Sequence, residues 1–349
     1  MPSMSRRSFG KVAASVAAIS ALPGPATAAT APGALRTLGK SALKVSPVGI
    51  GCNNFGQALD VAGTKRVVDA AMDFGATFFD TADVYARGVS EEFLGKALGA
   101  KRKDAVIATK FGSPMGSGKF PEGGGSRVHI MYAAEESLRR LGTDYIDLYQ
   151  IHRPDAKTPV EETLRAMDDL VRQGKVRFIG HSNFDGNMSN DAAKLSASAK
   201  ITAFISAQNH YSLLTRGIEK DLVPAVEAHG LGILPYFPLE SGILTGKYKR
   251  DEKPAEGTRM ATWAARAPGA TSRFMNETAF AKVEKLQVLA DQNSVTLLQF
   301  AFGWLLNKAY IGSVIAGATK PEQVENNVKA AAWRPSATVD AEIDKITKG

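Results

Sequence analysis

Eight short apolar or β-branched runs, each followed by a segment of helical periodicity, constrain this 349-residue chain more than any other feature. The runs are Val48–Gly51, Thr77–Asp80, Ala105–Lys110, Ile146–Ile151, Val176–Gly180, Phe204–Gln208, Gly232–Tyr236 and Ser313–Ile315. Helical patterns fall near Lys65–Phe74, Glu91–Leu98, Arg127–Leu141, Val160–Gln173, Met188–Ala199, Ile218–His229, Ala279–Asn293 with Leu297–Leu306, and Glu322–Ala332. Strands of this kind between helices predict a parallel sheet covered on both faces. Eight such units predict an α/β fold, a single (β/α)8 TIM barrel over residues 35–349, because barrels routinely exceed 200 residues as one domain. A doubly wound sheet would need Gly-x-Gly-x-x-Gly opening a helix. Gly49-Ile50-Gly51 is followed at the third position by Asn54, so that fingerprint is absent. Leu35–Val45 predicts a small hairpin capping the bottom of the barrel. Long loops are expected after the third strand (Gly112–Ser126) and the seventh (Lys247–Asn276), on the strand C-terminal face where barrels carry active sites. Gly123-Gly124-Gly125 reads as a flexible tip and not as a phosphate cradle.

The first 28 residues follow a different pattern. Ser5-Arg6-Arg7-Ser8-Phe9-Gly10-Lys11 precedes a weakly apolar run from Val12 to Leu22, then Pro23-Gly24-Pro25 and Ala26-Thr27-Ala28. At about 11 residues the run is short for a membrane span. Paired arginines, a short apolar stretch and a small-x-small end predict an export signal. Its Arg-Arg-x-Phe-x-Lys core resembles a twin-arginine (Tat) signal, which addresses folded cargo to its export machinery and implies a periplasmic destination. Cleavage is expected after Ala28, with Ala31 as a second position, residues 29–34 forming a linker. Membrane contact is expected through this segment alone. It also carries three of the eight excess positive charges, Arg6, Arg7 and Lys11, with no acid. Much of the basicity is therefore an address, and a nucleic-acid partner is not expected. The single cysteine, Cys52, excludes an internal disulfide and any thiolate metal cluster, and is expected to be a packing residue.

Polar residues at strand C-termini carry the chemistry. Asp80 ends Phe78-Phe79-Asp80, Lys110 ends Val106-Ile107-Ala108-Thr109-Lys110, and His152 follows Leu148-Tyr149-Gln150-Ile151, while Tyr85 stands five residues past Asp80. Neighbouring strands lie roughly 5 Å apart, so these side chains can converge. A phenol of reference pKa about 10 is a poor acid at neutral pH, and an adjacent ammonium stabilises the phenolate. Asp80 would hold that ammonium. A neutral His152 would donate a hydrogen bond to a carbonyl oxygen. Such a set suits proton delivery to a carbonyl that receives hydride. No paired glycosidase carboxylates, Ser-His-Asp set or metal cluster is evident among the five histidines.

With these residues in view, the chain after about residue 35 resembles the aldo-keto reductase family through Phe78–Tyr85, Val106–Gly112, Asp144–Asp155, Phe178–Phe184, Ala207–Ser212, Leu234–Tyr248 and Val314–Asn327. The resemblance implies a carbonyl reductase using NADP(H), with NAD(H) as the other candidate, on a barrel without a Rossmann domain. It implies Tyr85 as general acid, tuned by Lys110 and Asp80, with His152 orienting the carbonyl. Ser182, Asn183 and Gln208 match carboxamide-binding positions, and Tyr236 the aromatic that stacks on the nicotinamide. Gly51, Asn53, Asp80, Phe237, Pro238, Leu239, Ser241 and Gly242 fall on the remaining cofactor-binding stretches. The phosphates are expected around Lys247, Arg259, Gly317, Thr319, Lys320 and Gln323, where Pro321 opens a helix whose free amides and dipole favour an anion. Asn326 and Asn327 match the adenine-reading pair, the first commonly glutamate in the family. Phe237 stands where a small hydroxyl residue is frequent and Glu240 where a small residue is, with Lys247 the candidate to offset Glu240. The mouth for a small carbonyl substrate is expected to be lined by Asn54, Phe55, Tyr85, Phe111 and Arg153.

Overall fold

The computed structural model describes residues 34–116, 123–267, 269 and 271–348. Residues 1–28, both expected cleavage positions and part of the Gly112–Ser126 connection lie outside them. Two short strands, β1 (Arg36–Thr37) and β2 (Lys44–Val45), pair antiparallel. Eight parallel strands follow: β3 (Val48–Gly51), β4 (Phe78–Asp80), β5 (Val106–Phe111), β6 (Ile146–Ile151), β7 (Val176–Ser182), β8 (Ser206–Gln208), β9 (Gly232–Ile233) and β10 (Val314–Gly317). Their order is sequential from β3 to β9, with β10 beside β3. Ile233 N donates to Tyr310 O at 2.7 Å, Gly312 N to Ile233 O at 2.9 Å and Ile315 N to Pro235 O at 3.0 Å. These bonds bring the two ends of the curled sheet together, the closure that a barrel requires.

Helices α1 (Val61–Asp73), α2 (Val89–Leu98), α3 (Arg127–Leu141), α4 (Val160–Arg172), α5 (Gly186–Ala199) and α6 (Leu222–His229) follow β3 to β8 in turn. Helices α7 (Arg259–Arg266), α8 (Glu277–Gln292) and α9 (Leu297–Leu306) connect β9 to β10, and α10 (Pro321–Ala330) and α11 (Ala337–Lys348) end the chain. Local chemistry sets many of their starts. Asp60 accepts from Gly63 N, Asp185 from Met188 N, and Thr296 with Gln299 forms a capping box. Two helices stand where the sequence pattern predicts none. Inside the Lys247–Asn276 connection, Thr258 caps α7, whose Met260 is buried and whose Trp263 packs on Phe274. Helix α11 has a buried stripe as sparse as Ile343 and Thr347, too thin a signal for a periodicity argument.

Strand alternation explains where the site must be. Facing the inside, Phe78, Ala108, Leu148, Leu234 and Ile315 cluster with Leu38, Leu43 and Val45 from the β1–β2 segment. One alternate position up the same strands, the inward residues become Asp80, Lys110 and Gln150. Apolar packing thus gives way to polar groups along the interior. Gly180 belongs to that layer, since a Cβ there would stand 2.2 Å from Ser206 Oγ and 3.3 Å from Gln150 Cγ.

Candidate active site

Lys110 is fully buried at the end of β5, and its Nζ donates to Asp80 Oδ2 at 2.7 Å and to Thr81 O at 2.8 Å. Asp80 Oδ1 accepts from Gln208 Nε2 at 2.8 Å, so the carboxylate is held by groups from two other strands. The ammonium lies 5.2 Å from the centre of the Tyr85 ring, and that ring meets His152 edge-on at 5.7 Å. Four polar side chains from three successive strand ends therefore do converge. His152 is held down to about 3 by burial, reinforced by the positive charges of Lys110 and Arg153, so its imidazole is neutral at ordinary pH. Its Nδ1 is buried and makes no hydrogen bond. Its Nε2, which is not buried in this way and has no hydrogen-bond partner among the described residues, is the nitrogen able to meet a ligand oxygen.

Tyr85 departs from expectation in one respect. Lys110 does stabilise its phenolate through charge and a hydrogen bond, but burial outweighs this, and Asp80 and Cys52 add to it, so the phenol stands above its ordinary value. The tyrosine begins an unusual turn. Ala86 and Arg87 are left-handed, with φ of 48° and 55°, and Gly88 follows at 90°. Left-handed conformations cost a non-glycine residue roughly 1–2 kcal/mol each. Cys52 is buried within hydrogen-bond range of Ile50 O, as a packing residue.

Two expected mouth residues are elsewhere. Phe111 follows inward-pointing Lys110, so alternation turns it outward, where it is fully buried against Tyr149 and His129. Phe55 is likewise buried, closing the turn after β3 with a bridge to Leu59. Asn54, Tyr85 and His152 keep partial exposure, and Arg153 is exposed.

Beside the convergence lie the ends of β7, β8 and β9 and the residues that follow them. Ser182 Oγ donates to Gln208 O at 2.8 Å; Asn183 Nδ2 donates to His152 O at 2.9 Å, and Tyr236 Oη donates to Asn183 Oδ1 at 2.8 Å. Tyr236 stacks on His210 at 5.5 Å, and Phe237 joins an aromatic row that continues to Phe274. Pro238 is buried and Leu239 half-buried. Next comes a tight turn in which Glu240, Ser241 and Gly242 all have positive φ, and Ser241 Oγ is buried without a partner.

Glu240 is where sequence expectation and structure part most clearly. It is buried; Oε1 accepts from His210 Nε2 at 2.8 Å and from Ser212 Oγ. Arg273 Nη2 lies 3.3 Å from His210 Nδ1, which assigns the ring proton to Nε2. Lys247, expected to offset this charge, is exposed instead, with its ammonium over the Tyr248 ring at 5.0 Å. The Glu240 side chain turns back to the residues after β8, while the Lys247 ammonium folds over Gly242 of the same turn. Neither His210 nor Ser212 stands out in the sequence, although both follow Gln208 at a strand end.

At the far end, Arg259 Nη2 approaches Asn54 Oδ1 at 3.4 Å, and a Cβ on Gly317 would come within 3.5 Å of Asn53, Asn54 and Arg259. Gly51 pairs beside Gly317, where a Cβ would press on Ile315. Thr319 N donates to Gln323 Oε1 at 2.7 Å. Lys320 is exposed at the N-cap of α10 with no side-chain cap bond, and Pro321 occupies the first helical position. Asn327 is buried on α10 and Asn326 exposed. Arg259, the exposed Lys320 and the N-terminus of α10 are groups that could meet a phosphate, and Ser182, Asn183 and Tyr236 are groups that could meet an amide-bearing ring. These are residue types that could hold the phosphate and the amide of a dinucleotide. Among the described residues, no group of three or more His, Cys, Asp and Glu is placed to hold a metal ion, and no helix is long and apolar enough to cross a membrane.

Comparison with known proteins adds an independent observation. Residues 47–348 match the Aldo/keto reductase family. The chain is 37% identical over 318 residues to the probable voltage-gated potassium channel subunit beta of Arabidopsis thaliana, covering 89% of this chain and 94% of that protein. It is 33% identical over 303 residues to the L-glyceraldehyde 3-phosphate reductase of Escherichia coli O157:H7, covering 84% and 86%. It is also 33% identical over 303 residues to the uncharacterized oxidoreductase YrpG of Bacillus subtilis (strain 168), covering 84% and 89%.

Proposed function

Because this chain belongs to the aldo/keto reductase family, we propose that it is an oxidoreductase that reduces a small aldehyde or ketone to an alcohol, with Tyr85 as general acid. The observation that carries the reading is the buried Lys110 ammonium, fixed by Asp80 and Thr81 O and facing the Tyr85 ring. A bound nicotinamide supplies hydride to the carbonyl carbon. Tyr85 gives its proton to the carbonyl oxygen, Lys110 stabilises the phenolate left behind, and neutral His152 holds the oxygen against the phenol. Ser182, Asn183 and Gln208 would hold the carboxamide of a bound nicotinamide, and Tyr236 would stack on its ring. Lys320, Arg259 and Lys247 favour the extra phosphate of NADPH over NADH.

The Tat-like segment supports a periplasmic protein exported folded with its nucleotide already bound. Free NADPH is not replenished there, so the nucleotide is held tightly and restored by oxidising a second substrate in the same site. Nucleotide released from protein purified from the periplasm tests this; a competent but empty enzyme would overturn it.

A second reading, a nucleotide-binding regulatory subunit, is favoured by the Arabidopsis thaliana relative named as a probable voltage-gated potassium channel subunit beta. One assay separates the two. Mixed with NADPH and nitrobenzaldehyde, the protein oxidises NADPH, and Tyr85→Phe loses on the order of 10²–10⁴ of that rate, the contribution of a positioned acid. Equal rates in the two proteins would leave the regulatory reading standing.

A further inference from the structure

Tyr85 and Lys110 must meet, yet one is on a strained turn and the other on a strand. We propose that Glu91 is a positioning residue for this pair, its buried carboxylate pinning the turn that carries Tyr85 to the strand that carries Lys110. The proposal rests on the reductase reading of the same site.

Glu91 lies in the first turn of α2, the helix that the Tyr85 turn leads into, and is fully buried. Its Oε1 accepts from Thr109 Oγ1 at 2.5 Å and its Oε2 from Arg140 Nε at 2.7 Å. Thr109 precedes Lys110 on β5, so alternation sends the threonine toward the helices while the lysine faces inward. Arg140, on α3, packs against the last residue of the turn: a Cβ on Gly88 would stand 2.6 Å from Arg140 Cδ. One carboxylate thus joins β5, α2 and α3 around Tyr85–Gly88. Left-handed residues such as Ala86 and Arg87 persist only where the surroundings over-determine them. Stability alone does not account for the pair, since apolar packing of similar volume commonly serves a buried layer as well as an ion pair does.

The neighbours fit this role. Asp83, from the segment after β4, has its carboxylate buried with no partner but the backbone N–H of Val84, and the Tyr149 hydroxyl, from β6, is buried without a hydrogen bond. Burial and the Glu91 charge raise Asp83 to about 8, which leaves it largely neutral at pH 7, while Arg140 balances Glu91. On the other side Tyr85 faces Lys110 from β5, Asp80 from β4, Cys52 from the turn after β3 and His152 after β6. Releasing the pin lets the phenol draw away from the ammonium that lowers it.

The test uses the full chain with Thr109→Val, Thr109→Ser and Glu91→Gln, each made with and without Tyr85→Phe. The Tyr85 titration is read as the near-ultraviolet absorbance difference within each pair, beside kcat, KM, NADPH affinity and the urea midpoint. For Thr109→Val the expected result is an upward shift of about one pH unit in the Tyr85 titration and a fall of about tenfold in kcat. KM and NADPH affinity stay unchanged, and Thr109→Ser restores the parent titration and kcat. Glu91→Gln keeps an acceptor for Thr109 and gives a smaller shift of the same sign; it decides the matter where Thr109→Val does not fold. An unmoved titration in these variants, or equal losses in Thr109→Val and Thr109→Ser, overturns the proposal. Should the parent protein fail to oxidise NADPH, the reductase reading falls, while the titration still reports on the pin.

Discussion

The two ends of the candidate site are built differently. At the tops of β4, β5 and β6 the charges are enclosed, and Lys110 and Asp80 meet at 2.7 Å with almost no exposure. At the β9–β10 end the cations Lys247 and Lys320 are exposed, while Glu240, the buried charge, is tied to His210 and Ser212. Strand register fixes Asp80 and Lys110 at the first end, beneath the pinned turn that carries Tyr85, and an unpinned turn fixes Glu240 at the second. A fixed end has little room to adjust to substitution, whereas solvent and flexible side chains buffer an open one.

The largest expected effect comes from breaking the enclosed end. Lys110→Met leaves Asp80 buried with a lost partner, which costs about 3–5 kcal/mol of stability. It also removes the charge that supports the phenolate, for a rate loss on the order of 10²–10⁴. Urea unfolding and NADPH oxidation measure the two. A variant within about 1 kcal/mol of the parent would show that the enclosed end tolerates charge loss as the open end does.

That contrast also explains how much is legible in the sequence. Asp80, Lys110 and Gln208 can be placed from the chain alone because each ends a core strand, and alternation settles which way a strand residue points. Alternation, applied one residue further, turns Phe111 outward, away from the mouth where its neighbours suggest it should lie. Glu240 is not legible in the same way. Its direction depends on three consecutive positive φ values, in a turn with two non-glycine residues, and no spacing encodes that. Glu91 is hidden for another reason: an acid in the first turn of a helix ordinarily favours the helix dipole, and nothing local says that it is buried.

Protonation sharpens the comparison with a smaller effect. His152 and His181 are both held down to about 3, chiefly by burial. An unfolded imidazole takes up its proton near 6.5. Between pH 6.5 and 3 the unfolded chain therefore binds protons that the folded chain does not, and stability falls as the pH falls. The slope is at most about 1.4 kcal/mol per pH unit for each histidine. Urea midpoints at pH 7 and pH 5 should differ accordingly, and His152→Gln should flatten the difference. Reduction itself should show no limb near pH 6.5. A limb there that vanishes in His152→Gln would mean that the ring is charged in the working site.

The smallest effect belongs to the open end. Glu240→Gln keeps an acceptor for His210 Nε2 and Ser212 Oγ but removes a negative charge beside the proposed phosphate path. Because the carboxylate turns toward His210 and Ser212 and not toward the phosphate path, the exchange is worth about 1 kcal/mol or less there, so NADPH should bind roughly two- to fivefold more tightly, and the gain should shrink in high salt. Fluorescence titration at two ionic strengths reads both. The same carboxylate-to-amide change at Asp80 would strip a buried ammonium of its counter-charge and cost far more, which is how the two ends differ. Weaker binding by Glu240→Gln would reverse the assignment: the carboxylate would then be an acceptor for the nucleotide, and the open end as exacting as the enclosed one.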